Sequence, residues 1–226
     1  EYCPHNLTTV EQRIDRASTA ASLWKRNSLN ERCDVIRGVA VHLEQDRDEF
    51  AKLATLEMGK PIAQAKAEID KCIWLCNFYA DNAAEYLKPE DVNTEAKKSI
   101  VRFDPLGVVL GVMPWNYPFW QVLRFAVPAM LAGNTVVLKH ASSVTGCALA
   151  LERLFNGPGM LPDIFTTIVL GSENVEMMIS HPAVRAVSLT GSERAGRAVA
   201  AQAGQFLKKS VLELGGSDPF IVLDDA

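Results

Sequence analysis

A chain of 226 residues, 48% hydrophobic and 22% charged, has the profile of a soluble globular protein with room for a sizeable core. Its formal net charge of −4 argues against a nucleic-acid partner, which needs a basic face. No apolar run reaches the ~20 residues of a membrane helix, so no membrane partner is expected. The start, Glu1-Tyr2-Cys3-Pro4-His5, has neither the basic flank nor the apolar stretch of a signal peptide, and it lacks a methionine, as a trimmed N-terminus would. The five cysteines, Cys3, Cys33, Cys72, Cys76 and Cys147, form no CxxC pair. That pattern fits reduced thiols of a cytoplasmic protein rather than a disulfide framework. Cys72 and Cys76 fall one helical turn apart, but no His or Cys cluster completes a metal site, so core packing and no metal are expected.

Residues 8–87 read as four amphipathic helices. Val10, Ile14, Ala17, Ala21 and Trp24 recur at helical spacing behind Thr8 and Thr9. Ser28 and Glu31 make a capping box ahead of Cys33, Ile36, Val39 and Leu43. Asp46 and Glu49 repeat the device before Phe50, Leu53 and Leu56, and Gly59-Lys60-Pro61 ends that helix. Ile62, Ala65, Ile69, Ile73, Cys76 and Tyr79 line a long fourth helix, broken at Lys88-Pro89. The charges of this half read as solvated faces. A hairpin is expected next, Ser99–Phe103 with Val108–Met113, through Asp104-Pro105-Leu106-Gly107.

From Val108 the pattern changes. The β-rich runs are Val108–Met113, Thr135–Lys139, Phe165–Leu170, Val184–Leu189, Val211–Leu214 and Pro219–Leu223, the first five separated by helical stretches near 119–132, 143–156, 173–180 and 192–206. Nearly all-apolar strands alternating with helices imply an α/β fold: an open, Rossmann-like parallel sheet with helices on both faces. The chain thus divides into a helical part at 1–97, a hairpin and first strand at 98–113, and a parallel sheet at 108–226. Such sheets bind ligands at the carboxyl ends of their strands, often on helix N-termini. The GxGxxG fingerprint is absent, and Gly157-Pro158-Gly159 follows a helix, so it reads as a turn. Leu189-Thr190-Gly191-Ser192 is the nearest phosphate-loop candidate: Gly191 permits close approach and Ser192 is a good N-cap. An ordinary capped helix fits that spacing equally well.

Four motifs then occur in order: Pro114-Trp115-Asn116-Tyr117-Pro118, Gly133-Asn134-Thr135-Val136-Val137-Leu138-Lys139, Leu189-Thr190-Gly191-Ser192, and Leu212-Glu213-Leu214-Gly215-Gly216, with Glu57-Met58-Gly59-Lys60-Pro61 upstream. Together they resemble the aldehyde dehydrogenase superfamily, and within it the NAD(P)-dependent succinate-semialdehyde dehydrogenases, over almost the whole chain. The resemblance implies an oxidoreductase whose cofactor-binding part is present, a small aldehyde as substrate, and a homo-oligomeric parent enzyme. It makes Asn116 the oxyanion-hole donor and Glu213 the general base that activates water; a turn asparagine and a structural ion pair are the plainer alternatives. Lys139 matches the lysine on the adenosine ribose. Pro114, Trp115, Gly171, Gly191, Ser192, Leu214 and Gly215 would also lie against the cofactor. Many NAD-preferring relatives carry a glutamate where Ser142 stands, and a serine no longer repels a 2′-phosphate, so NADP is expected, with NAD as the alternative. His140 replaces the proline common after the lysine; it either aids the phosphate or fills the turn.

Arg124 is the sole charged residue between Asp104 and Lys139, and it shares a helical face with Tyr117 and Gln121. An unpartnered buried guanidinium is costly, and its fork matches a carboxylate. An arginine here resembles the succinate-semialdehyde enzymes, so Arg124, Tyr117 and Gln121 are expected to receive a carboxylated aldehyde; an internal salt bridge or a surface arginine is the alternative. Trp115, Phe119 and Trp120 read as packing. The family's nucleophilic cysteine lies in a catalytic domain beyond the glutamate, and none of the five cysteines follows a strand near Asn116. The chain alone is therefore expected to be inactive, either as part of a complete enzyme or as a non-catalytic nucleotide-binding or interaction module.

Overall fold

The computed structural model describes residues 2–157 and 160–225, so the turn expected at Gly157-Pro158-Gly159 lies partly outside the described residues. Four helices open the chain: α1 (Leu7–Trp24), α2 (Leu29–Gln45), α3 (Arg47–Met58) and α4 (Ile62–Tyr86). The cap of α1 is Asn6 rather than a threonine, its side chain accepting the Thr9 N–H at 2.8 Å. Ser28 and Glu31 form the expected capping box on α2. Asp46 does not repeat it: its side chain caps nothing. It is the single residue between α2 and α3, and its φ/ψ of −106°/21° is not the extended conformation a capping side chain needs. Gly59 ends α3 at φ 82°, a left-handed conformation open to glycine at no Cβ cost.

Two short strands follow, β1 (Glu90–Asp91) and β2 (Ile100–Val101), paired antiparallel. They correct the expected hairpin, because β2 folds back on β1 and not on Val108–Met113. That segment is β3 (Val108–Met113), the centre of a five-stranded sheet with β4 (Thr135–His140), β5 (Phe165–Thr167), β6 (Val184–Gly191) and β7 (Lys209–Leu214). The order is β5-β4-β3-β6-β7 and every pair is parallel. Both edges of β3 are thus taken, and none remains for β2. Between the strands run α5 (Trp120–Leu131), α6 (Thr145–Phe155), α7 (Val175–Ser180) and α8 (Glu193–Gln205).

The chain leaves β3 toward β4 and β5, then returns to build β6 and β7 on the other side. This reversal is the topological switch point at which such sheets open a crevice beyond their carboxyl ends. Alternate strand residues feed two cores. Met113, Val136 and Leu138 pack with α2–α6, whereas Leu110, Val137, Val187 and Leu189 pack with residues of α1, α7 and α8. The expected strand Pro219–Leu223 is irregular, and Phe220 is 91% exposed. High β-propensity alone makes no strand: the outer edge of β7 is free among the described residues, yet this segment does not pair with it. No helix among the described residues is long and apolar enough to cross a membrane.

Candidate active site

The strand register brings the sequence-selected residues to one end of the sheet. Lys139 stands level with Val112, which is level with Leu189, which is level with Leu212. Glu213 is one residue further on, beside Thr190. At about 4.8 Å per strand, three strand spacings set Lys139 and Glu213 roughly 15 Å apart. They also face opposite sides of the sheet. Lys139 shares the register of Val112, Leu189 and Leu212, which pack toward α8, while Glu213 faces α5. Asn116 lies in the exposed turn Trp115–Tyr117 that follows β3, the strand between β4 and β6.

Two cavities border these residues. One, of about 400 Å³, is lined by His140, Ser142, Thr145, Thr167, Gly171 and the N-terminal Tyr2 and Pro4. The other, of about 560 Å³, is lined by Tyr79, Arg124, Ser188, Thr190, Val211 and Glu213. Asn116 and Lys139 line neither of these two cavities, of which the smaller borders α6 and the larger borders α5. A third, of about 300 Å³, lies at the amino ends of the strands around Gly107, Val108 and Arg185, and it holds no residue of the site.

Lys139 is 7% exposed at the end of β4. Burial lowers its pKa from the ordinary 10.5, and Glu173 pulls the other way. Ser142 opens an exposed single turn before α6. Ser192 caps α8, accepting the Ala195 N–H at 3.3 Å, so the helix starts at the end of β6 with its dipole toward the crevice. Gly191, Leu214 and Gly215 lie beside it at the strand ends. His140 ends β4 and borders the smaller cavity. It is 5% exposed, its Nδ1 receives the Ala141 N–H at 3.0 Å, and its Nε2 lies 2.9 Å from the Pro118 carbonyl. The Nδ1 also lies 3.1 Å from the Met113 carbonyl, so the ring is held from both sides, and burial lowers its pKa.

On the α5 face, Arg124 has partners that its isolation in the sequence did not show. Its guanidinium donates to Gln121 Oε1 at 3.1 Å and lies 3.4 Å from Glu213 Oε2 and 3.5 Å from Thr190 Oγ1. The internal ion pair, one of the two plainer readings of an arginine here, is present. Its side chains are 34% and 54% exposed, so the pair contributes roughly 0–1 kcal/mol and exchanges readily. Tyr117 is exposed in the turn before α5, with the Lys60 ammonium 3.8 Å from its ring centroid.

The residues that sequence reasoning missed are charged ones in the helical half, which do not all form solvated faces. Glu57 accepts the Gly146 and Cys147 N–H groups, each at 2.8 Å, at the start of α6. Glu68, 3% exposed, accepts the Phe119 and Trp120 N–H groups at 2.8 and 2.9 Å at the start of α5, and the Lys60 ammonium at 2.6 Å. The available signal was the position of Glu68, three residues after Ala65 and four before Cys72, inside the apolar stripe of α4.

The profile of the aldehyde dehydrogenase family matches residues 5–226. A Synechocystis protein named "Probable succinate-semialdehyde dehydrogenase [NADP(+)]" is 48% identical over 225 residues, which is all of this chain and 50% of that protein. The Escherichia coli succinate semialdehyde dehydrogenase [NAD(P)+] Sad is 42% identical over 96% of this chain and 47% of its own length. Among solved structures, the succinic semialdehyde dehydrogenase of Streptococcus pyogenes in complex with NADP+ superposes with a TM-score of 0.94 at 35% identity, covering 99% of this chain and 50% of that one. The five-stranded parallel sheet with helices on both faces is shared with this solved dehydrogenase structure. The chain belongs to the aldehyde dehydrogenase family, and it spans about half the length of the curated relatives it matches.

None of the cysteines stands at the strand ends. Cys33, Cys72, Cys76 and Cys147 are buried, and burial raises all four thiol pKa values, that of Cys76 to about 12. Alkylation with iodoacetamide at neutral pH should therefore modify exposed Cys3 first, and the other four only after unfolding. Rapid modification of Cys147 or Cys76 in the folded chain would contradict this placement.

Proposed function

We propose that this chain is the cofactor-binding part of an NAD(P)-dependent aldehyde dehydrogenase that oxidises a small carboxylated aldehyde, of the succinate-semialdehyde kind, to the acid. The observation that carries the reading is Arg124, held beside Glu213 and Thr190 one helix turn beyond the Asn116 loop. An incoming carboxylate offers the guanidinium a bidentate partner, better than the single 3.4 Å contact it makes with Glu213. Exchange of the two leaves the substrate anchored and Glu213 free. Tyr117 and Gln121 flank that anchor. Asn116 donates its amide to the aldehyde oxygen as a thiolate, supplied by the rest of the whole enzyme, adds to the carbonyl carbon. Glu213 then takes a proton from the water that releases the acid.

Lys139, Ser142, Gly171 and the capped start of α8 at Gly191-Ser192 would hold NADP, with Pro114, Trp115, Leu214 and Gly215 along its length; NAD is the alternative. The fit rests on a buried cation at a strand end, a hydroxyl at 142 and a helix N-terminus aimed at the crevice. When bound, the nicotinamide accepts the hydride. The printed NADP(+) and NAD(P)+ specificities of the relatives support this reading. The parent enzyme is proposed to be a homo-oligomer. A second reading, a nucleotide-binding module without chemistry, draws on the half-length match alone, and it leaves Glu213 and Asn116 without a role.

The 226-residue chain should show no dehydrogenase turnover, yet bind NADP more tightly than NAD in calorimetry. That preference needs Lys139 charged, so it should fade as pH rises through a pKa below the ordinary lysine value. Turnover by the isolated chain, or equal affinity for the two nucleotides, would overturn the assignment. In the whole enzyme, Arg124→Leu should raise KM for carboxylated aldehydes by about ten- to a hundredfold and leave uncharged aldehydes nearly unaffected, as loss of a charged hydrogen-bond pair implies. Equal effects on both classes would remove the anchor.

A further inference from the structure

We infer that Glu68 and Lys60 are positioning residues for the proposed reaction: they clamp the backbone that carries Asn116. The inference rests on the reading of Asn116 as the donor to the aldehyde oxygen. Helix α5 begins without a side-chain cap of its own, because Phe119 occupies the N-cap position. The missing acceptor comes from α4. One Glu68 oxygen takes the Phe119 and Trp120 N–H groups, and the other takes the Lys60 ammonium at 2.6 Å. The same ammonium lies 3.8 Å from the centroid of the Tyr117 ring, a cation–π contact with its counter-ion built in. His140 holds the Pro118 carbonyl from the far side at 2.9 Å.

Every residue from Tyr117 to Trp120 is therefore tied to a side chain of another element, and Asn116 is the next residue outward. Packing alone asks for no charge at position 68, since its helical neighbours Ala65, Ile69 and Cys72 are all buried apolar residues. A buried ion pair is weak evidence for stability, because a well-packed apolar pair often serves as well. What it adds here is direction. Two amide N–H vectors and one ring are fixed by one carboxylate, and a donor in an oxyanion hole loses its effect with displacements of about 1 Å.

The test is a double-mutant cycle in the whole enzyme. Lys60→Met/Glu68→Gln removes both charges at once, so no unpaired ion is left inside. It should lower kcat by about tenfold, with KM for NADP unchanged. In an Asn116→Ala background the same pair of changes should cost nothing further, because a clamp acts only through the residue it places. If the double variant does not fold, Glu68→Asp keeps the charge, shortens its reach and should show the same dependence on Asn116. Equal fold-losses in both backgrounds, or no loss in either, would overturn the clamp. An Asn116→Ala enzyme with full kcat would instead overturn the reading of Asn116, and the clamp with it.

Discussion

One buried carboxylate governs where the loop after β3 can run. Glu68 lies with 3% exposure among the helices, and it satisfies two backbone N–H groups that would otherwise face an apolar core. Removing one partner of such a pair leaves an uncompensated ion inside, at a cost of about 3–5 kcal/mol. The helical half is therefore more than a cover for one face of the sheet. Through Glu68 it caps α5, and through Glu57 it caps α6, so both helices that leave the carboxyl ends of β3 and β4 start from fixed points.

The parallel sheet supplies the rest of the arrangement. Because β3 is central and the chain reverses there, the segments after β3, β4 and β6 all emerge around one crevice. The in-register rows then separate the chemistry by face. Lys139 falls on the α1/α7/α8 side, and Glu213 with Arg124 on the α5 side. That separation follows from the two-residue period of a strand, in which Leu212 and Glu213 must point apart.

Much of this was legible in the residues. Strand–helix alternation and all-apolar strands were sufficient for the parallel sheet, and β3 and β4 fall within a residue of the expected ranges. Ser99–Phe103 and Pro219–Leu223 show the limit: local β-propensity does not reveal which edge a segment takes or whether it takes one, and one segment paired elsewhere while the other did not pair. The isolation of Arg124 in an apolar stretch singled it out, but its partner Glu213 is distant in sequence and invisible to periodicity. Glu57 and Glu68 were harder still. A carboxylate on a helix looks solvated until the fold shows that the start of another helix has been brought against it.

Amide hydrogen exchange, read residue by residue on the 226-residue chain, tests the governing interaction most directly. Helix starts normally exchange fast, because their first N–H groups lack intrahelical partners. With Glu68 in place, the Phe119 and Trp120 amides should instead be protected to the level of the buried middle of β3. Exchange of those two amides at the rate of an uncapped helix end would contradict the account.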